Sequence, residues 1–436
     1  MTSQLMETAK TEWVQRRLGD DCTVGDGTHA RLERLDAGVL YVTAKNLKES
    51  GLNLWKVGHI SEADFKKYFR LDTRIPSRPR AGDVLMGIIG TIGIPYLMKP
   101  EDRFGLSSSV GIIRPNQEVL WPAYLYYWVK GEVFQNALHG IVGGVVQPYV
   151  SMQGLKSLPL RYPCLEKQRK IAEVLLAYDE LIAVNLQRMK LLESMARTIF
   201  REWFVYFRFP GWEGVKIVDS EVGRIPETWE ITKIGEAMVT VSGDTPSTKK
   251  QEYWENGDMT WFTPTDLTNA GTMFISESAR KVTELGRRKS KTRVFPPYSV
   301  MVTSRATIGV VAINSKPACT NQGFITCIPN QRLSPYFLYF WVEENKDRIS
   351  SLASGVMFKE IYLSNFRKVL IAVPDQPTHR QYVALVEPVC KQIEVLQEQT
   401  RNLRRTRDLL MSGLLSGKLD VGGTEPALVS CEGGGD

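Results

Sequence analysis

Two groups of basic side chains carry the most suggestive chemistry in this chain. The first is Lys66, Lys67, Arg70, Arg74, Arg78 and Arg80, interleaved with Tyr68, Phe69 and prolines. The second is Arg287, Arg288, Lys289, Lys291 and Arg293, with Arg305 just downstream. Ammonium and guanidinium groups neutralise phosphates, and an arginine can also meet a guanine edge with two donors. Each residue taken singly is also what a solvated loop carries. Two such groups at corresponding places in a repeated chain favour a nucleic acid. Residue type alone does not separate base readers from phosphate holders.

Catalytic signatures are missing. The sequence contains no Walker A loop, no GxGxxG between strand and helix, no HExxH, no GxSxG and no paired His/Cys ligand set. Phe295-Pro-Pro-Tyr298 resembles the Asn/Asp-Pro-Pro-Tyr/Phe loop of amino-methyltransferases. In that loop the leading amide or carboxylate hydrogen-bonds the target amine, which Phe295 cannot do. The corresponding stretch Arg80-Ala-Gly-Asp83 lacks the motif altogether. Both read as turns entering a strand. The expectation is a chain with no catalytic residue, no metal site and no cofactor of its own.

The elements that must position the basic groups come in two copies. Leu120-Trp-Pro-Ala-Tyr-Leu-Tyr-Tyr-Trp-Val129 returns as Leu333-Ser-Pro-Tyr-Phe-Leu-Tyr-Phe-Trp-Val342. Trp13-Val-Gln-Arg-Arg-Leu-Gly-Asp20 matches Trp229-Glu-Ile-Thr-Lys-Ile-Gly-Glu236, and Leu40–Leu47 matches Thr260–Leu267. Thr91-Ile-Gly93 matches Thr307-Ile-Gly309, and Gly144-Val145 matches Gly355-Val356. These matches share one order, with the offset drifting as insertions in loops would make it drift. Stretches 53–80 and 270–295 do not match, so the halves share a scaffold and differ in their inserts.

Each copy closes with a helical pattern. Leu175, Tyr178, Ile182, Asn185, Met189, Leu192, Ala196 and Ile199 keep a 3,4 spacing. So do Val386, Val389, Ile393, Leu396, Thr400, Leu403, Arg407 and Leu410. Such a seam predicts coiled-coil helices, each about 50–60 Å long. Asn185 and Thr400 set one polar residue in each seam, where it can fix register. Short β-branched runs such as Val39–Thr43 and Val110–Ile113 read as strands. Trp121–Glu132 reads as an aromatic-rich helix started by Pro122.

The predicted fold is α+β: two similar globular domains joined by two long helices in an antiparallel coiled coil, with an internal pseudo-two-fold repeat. The expected segments are a first globular domain over 1–163, a first helix over 164–205 and a linker over 206–225. A second domain over 226–374, a second helix over 375–419 and a disordered tail over 420–436 complete the chain.

Composition sets the bounds. At 43% hydrophobic and 24% charged the 436 residues can bury two cores, and a net charge of +7 permits a polyanionic partner. Six cysteines without CxxC spacing and only four histidines argue against structural zinc and for free thiols in a reducing cytoplasm. The most apolar run, Val84–Met98, is too short and too broken by glycine to span a bilayer. The expected location is cytoplasmic.

At this point the chain resembles a known family, the specificity subunit of type I restriction-modification systems, over about 10–420. The most specific pieces are Arg224-Ile-Pro-Glu-Thr-Trp-Glu230, Glu166-Lys-Gln-Arg-Lys-Ile-Ala172 and Leu410-Met-Ser-Gly-Leu-Leu-Ser-Gly-Lys-Leu419. The resemblance implies two target recognition domains that read the halves of a bipartite, asymmetric DNA site around an unspecific spacer. It implies two modification (methyltransferase) subunits and, in many systems, restriction (translocase/nuclease) subunits as partners. S-adenosylmethionine, ATP and Mg are then expected in those partner subunits and not in this chain. Alternatives at this stage are a coiled-coil scaffold, or the specificity module of a modification-only methyltransferase. The outward faces of the helices, with Arg169, Lys170, Arg188, Lys190, Arg404 and Arg405, are the expected partner surface. Gln381-Tyr-Val383 departs from the family's usual Ile-Ala, and Pro388 lies inside the second helix, which puts its first turns in question.

Overall fold

The computed structural model describes residues 13–421, apart from 50, 72, 145, 306 and 356–358. The expected tail beyond 421, the first twelve residues and the repeat match at Val145 and Val356 lie outside the described residues. The chain divides into two compact units, residues 1–182 with 402–436 and residues 183–401. The division cuts both long helices, so each unit holds one globular part and one part of each helix.

In the first unit, β1 (Val14–Arg17) pairs antiparallel with β9 (Pro159–Tyr162), bringing the two ends of the globular part together. A four-stranded antiparallel sheet runs β2 (Cys22–Asp26), β8 (Val110–Pro115), β5 (Val84–Gly87), β6 (Pro95–Leu97). A three-stranded sheet has β3 (Val39–Val42) at its centre, antiparallel to β4 (Gly58–Ile60) and parallel to β7 (Phe104–Leu106). Helix α1 (Glu62–Tyr68) follows β4 and turns Phe65 into the core, which Phe69 enters just beyond its end. The single helix expected over Trp121–Glu132 is two, α2 (Pro122–Lys130) and α3 (Glu132–His139). They break at Gly131, whose backbone is extended.

The next helix, α4 (Leu165–Phe204), starts in this unit. Its buried Ile171, Ala172 and Leu175 share a core with Met411, Leu414 and Leu415. Lys167 pairs with Asp420 at 3.0 Å and Asp179 with Arg407, so the two helices run antiparallel here.

The second unit repeats this plan. β10 (Glu230–Lys233) pairs with β19 (Leu370–Val373). A five-stranded sheet runs β11 (Val239–Ser242), β18 (Phe324–Ile328), β15 (Val300–Thr303), β16 (Val311–Asn314), β13 (Phe274–Ile275). A three-stranded sheet sets β12 (Met259–Phe262) between antiparallel β14 (Lys281–Val282) and parallel β17 (Ala318–Thr320). One backbone approach recurs in both units. A Cβ on Gly27 would stand 2.2 Å from the Leu106 carbonyl oxygen, and one on Gly243 2.0 Å from that of Thr320. Only glycine fits where the chain crosses the end of the parallel strand.

Helices α5 (Glu284–Arg288) and α6 (Pro335–Glu344) precede α7 (Gln376–Ser416). The helix α7 is continuous through Pro388. Pro388 and Ala384 are both exposed, so the carbonyl that proline leaves unbonded faces solvent. The departure at Gln381-Tyr-Val383 also has a physical reason. Tyr382 is fully buried and packs against Phe200, Trp203 and Phe204 of α4. Together with Phe337 and Trp229 these rings form the aromatic centre of the unit.

Candidate nucleic-acid interface

The first basic region is built on α1. The Ser61 hydroxyl caps the helix by accepting from the Asp64 amide at 3.0 Å. With Phe65 and Phe69 buried, Lys66 and Lys67 are left exposed, followed by exposed Arg70 and Arg74. Phe69 is therefore core and no candidate for stacking on a base. Arg78 is half-buried, its guanidinium 4.9 Å from the centre of the Phe65 ring. Arg80 is exposed, and its amide donates to Asp83 at 2.9 Å. Asp83 is in turn buried and held by two donors of Arg114 at 2.8 Å. That buried bidentate pair pins the loop carrying Arg78 and Arg80, and Arg114 also donates to the Arg78 carbonyl.

The second region centres on α5, capped by the Thr283 hydroxyl. Arg287 and Arg288 both donate to the Glu284 carboxylate. Those two hydrogen bonds, Arg287 first, pull the Glu284 carboxyl down to about 2. Arg305 pairs with Glu360 at 2.6 Å. These arginines meet internal carboxylates, whereas Lys289, Lys291 and Arg293 are exposed and make no ion pair among the described residues. Sequence spacing placed all of them in one group; the fold divides them.

The Phe295-Pro-Pro-Tyr298 segment is a turn. Phe295 is buried and its amide bonds the Ala318 carbonyl at 2.9 Å. Tyr298 takes a left-handed backbone (φ +62°), two residues before β15. Gly82 (φ +86°) stands at the same distance before β5. Tyr298 is held there by its hydroxyl on Glu394, 3.0 Å away.

Sequence reasoning missed another group, which lies at the central strands β3 and β12. Arg34 covers the ring of buried Tyr41, its guanidinium carbon 3.7 Å from the ring centre. Trp55, 79% exposed, stands nearby with Lys45, Asn53 and Lys56 around a cleft of about 260 Å³. In the second unit Arg280 lies 3.8 Å over Trp254, which packs edge-on against buried Trp261. The only signal available beforehand was that Tyr41 and Trp261 fall in a matched segment.

Along the long helices, the seam positions Leu175, Ile182, Asn185, Met189 and Ala196 are buried, and Tyr178, Leu192 and Ile199 half-buried. Val386, Ile393, Leu396 and Thr400 are buried, and Val389, Leu403 and Leu410 half-buried. Thr400 donates to the Leu396 carbonyl of its own helix at 2.7 Å. Arg407, in line with the seam, reaches Asp179. Outside the seam α4 exposes Val174, Leu181, Val184, Leu191 and Met195, again at heptad spacing. Arg169, Lys170, Arg188, Lys190, Arg404 and Arg405 are all exposed; Arg169 covers Trp121 and Lys170 pairs with Glu166.

Among the described residues, no group of three or more His, Cys, Asp or Glu side chains is placed to hold a metal ion. No helix among them is long and apolar enough to cross a membrane. Cys22, Cys319, Cys327 and Cys390 are buried as free thiols, and burial pushes Cys319 and Cys327 up to about 12.

Comparison with known proteins agrees with the repeat. The chain is 35% identical over 197 residues to the type I restriction enzyme MjaIX specificity subunit of Methanocaldococcus jannaschii, covering 43% of this chain and 45% of that one. It is 23% identical over 430 residues to the putative type I restriction enzyme MjaX specificity subunit of the same organism, covering 94% of each. The chain thus spans less than half of the first relative and nearly all of the second. A crystal structure of the type I restriction-modification system S subunit from M. genitalium shares the fold, with a TM-score of 0.58 at 14% identity over 93% of this chain and 96% of that one. A family model described as type I restriction modification DNA specificity domain matches residues 10–194 and again 226–405. With both repeats matched over most of its length, the chain belongs to the type I restriction-modification DNA specificity family.

Proposed function

We propose that this chain is the sequence-reading subunit of a type I restriction-modification complex, each unit reading one half of a bipartite, asymmetric DNA site. The observation that carries this reading is the shared strand order of the two units beneath unlike basic inserts. One scaffold with two different reading surfaces suits a target of two different halves. Phosphate contacts would come from exposed Lys66, Lys67, Arg74, Lys289, Lys291 and Arg293.

The chain itself performs no chemistry in this reading. Two modification subunits bring S-adenosylmethionine and methylate adenine, and restriction subunits bring ATP and Mg. The exposed apolar positions of α4, flanked by Arg188 and Lys190, are suited to partner helices, because an apolar heptad row gains by being covered. The complex would work in the cytoplasm, where its DNA is.

Base-resolved mapping of N6-methyladenine in the source strain, with and without the gene, tests the proposal. Loss of one split, asymmetric methylated motif on deletion is the expected result. An unchanged methylome, together with no co-purifying methyltransferase, would overturn it.

A further inference from the structure

Tyr41 and Trp261 hold the same place in the two units. Each lies on the central strand of its three-stranded sheet, Tyr41 opposite Gly105 and Trp261 opposite Cys319 on the parallel neighbour. Each begins a row of contacts that ends in an exposed arginine: Arg34 lies directly over Tyr41, and Arg280 over Trp254, which meets Trp261 edge-on. The arginines come from unrelated segments. Arg34 precedes β3, whereas Arg280 precedes β14. The scaffold is common, and each unit supplies the cation separately.

Neither guanidinium has an ion pair or a side-chain hydrogen bond among the described residues. This sets them apart from Arg287, Arg288 and Arg305. Stacking uses only the face of a guanidinium and fixes its plane, leaving the donors on its edge unspent. A phosphate needs charge, which a mobile lysine supplies equally well. A planar fork held in place suits the paired O6 and N7 acceptors of guanine. The surroundings of Arg34 fit that use. Lys45 and Lys56 flank it, and the turn that presents Trp55 is closed by the Trp55 amide, which donates to Asn53 Oδ1 at 3.0 Å.

We propose that Arg34 and Arg280 are base-reading arginines of the first and second units, each hydrogen-bonding a guanine edge in its own half-site. The assignment rests on the DNA-reading function above. The test uses the full chain assembled with its modification subunits, titrated against duplexes carrying every single-base change in the mapped motif. Arg34→Lys keeps the charge and removes the fork. It is expected to hold non-specific affinity within about twofold and to lose about tenfold to a hundredfold of discrimination at one G·C pair of one half-site. Arg280→Lys is expected to do the same in the other half only.

The assignment is overturned if both variants keep full discrimination at every position, if they weaken all sequences uniformly, or if either half-site contains no G·C pair. A wild-type complex with no preference for any split sequence would remove the DNA-reading function as well. That outcome is told apart because it appears before any substitution is made.

Discussion

Lys130 and Glu343 occupy the same position in the two repeats and carry opposite charges. Each sits at the C-terminal end of the aromatic helix of its unit and faces the long helix α4. Lys130 lies 4.0 Å from Asp179, which also accepts from the Tyr127 hydroxyl at 2.7 Å and pairs with Arg407. Glu343 lies 3.1 Å from Arg197, which also pairs with Glu193. The sign of the domain–helix contact is inverted between the units, so each globular part matches its own half of α4. Reversing one charge places like charges together in a partly buried contact. Lys130→Glu and Glu343→Lys are each expected to cost about 1–3 kcal/mol. Thermal unfolding of the full chain checks this; melting unchanged in both would show the contacts to be incidental.

Tyr382 gives a prediction of opposite sign. Its ring is fully buried among Phe200, Trp203 and Phe204, while its hydroxyl has no hydrogen-bond partner among the described residues. Tyr382→Phe keeps the packing and removes an unsatisfied polar atom, so it is expected to raise stability by about 1 kcal/mol. Tyr382→Ala leaves a cavity and is expected to cost about 3–5 kcal/mol. Denaturant melts of the two variants measure both, and a destabilised Tyr382→Phe would contradict the account.

His379 makes the second unit sensitive to acid. Its Nε2 accepts from the Ser334 amide at 3.1 Å, and burial pulls its pKa down to about 4. An unfolded histidine titrates near 6.5. Between those values the unfolded chain binds a proton that the folded chain refuses. The stabilisation is therefore full above about pH 6.5 and is lost as pH falls toward about 4, by roughly 3 kcal/mol in all. The melting temperature is expected to fall across that window in wild type and to fall less in His379→Gln. Parallel pH profiles would refute it.

Glu284 restrains two cations of the second basic region. Glu284→Gln removes the charge that Arg287 and Arg288 share. In the assembled complex it is expected to raise DNA affinity at low salt and to steepen the slope of log K against log salt by about 1–2. Sequence preference should stay as it is, because phosphate contacts carry no base information. An unchanged slope would place these arginines away from the DNA.

Much of the scaffold could be read from the chain because it follows from local pattern. The 3,4 spacing marks both long helices, and ordered matches such as Leu40–Leu47 with Thr260–Leu267 mark the doubled scaffold. Periodicity depends only on near neighbours, so no knowledge of the fold is needed to see it. Two expectations come out differently in the structure. The aromatic helix breaks at Gly131, and the first turns of α7, in question from Gln381-Tyr-Val383 and Pro388, are helical, with Tyr382 completing a buried ring cluster.

The candidate site was only partly legible. Basic clusters are visible as composition, but the availability of a charge depends on partners distant in sequence. Glu360 meets Arg305, Arg114 pins Asp83 beneath Arg80, and Tyr41 and Trp254 stack Arg34 and Arg280. The chain's own residue order determined the doubled scaffold, its strands and its helical seams, because those patterns are carried by adjacent residues. Only the tertiary structure decided which cations are neutralised and which remain available, because ion pairs and ring stacks act over a few ångströms in space regardless of separation along the chain.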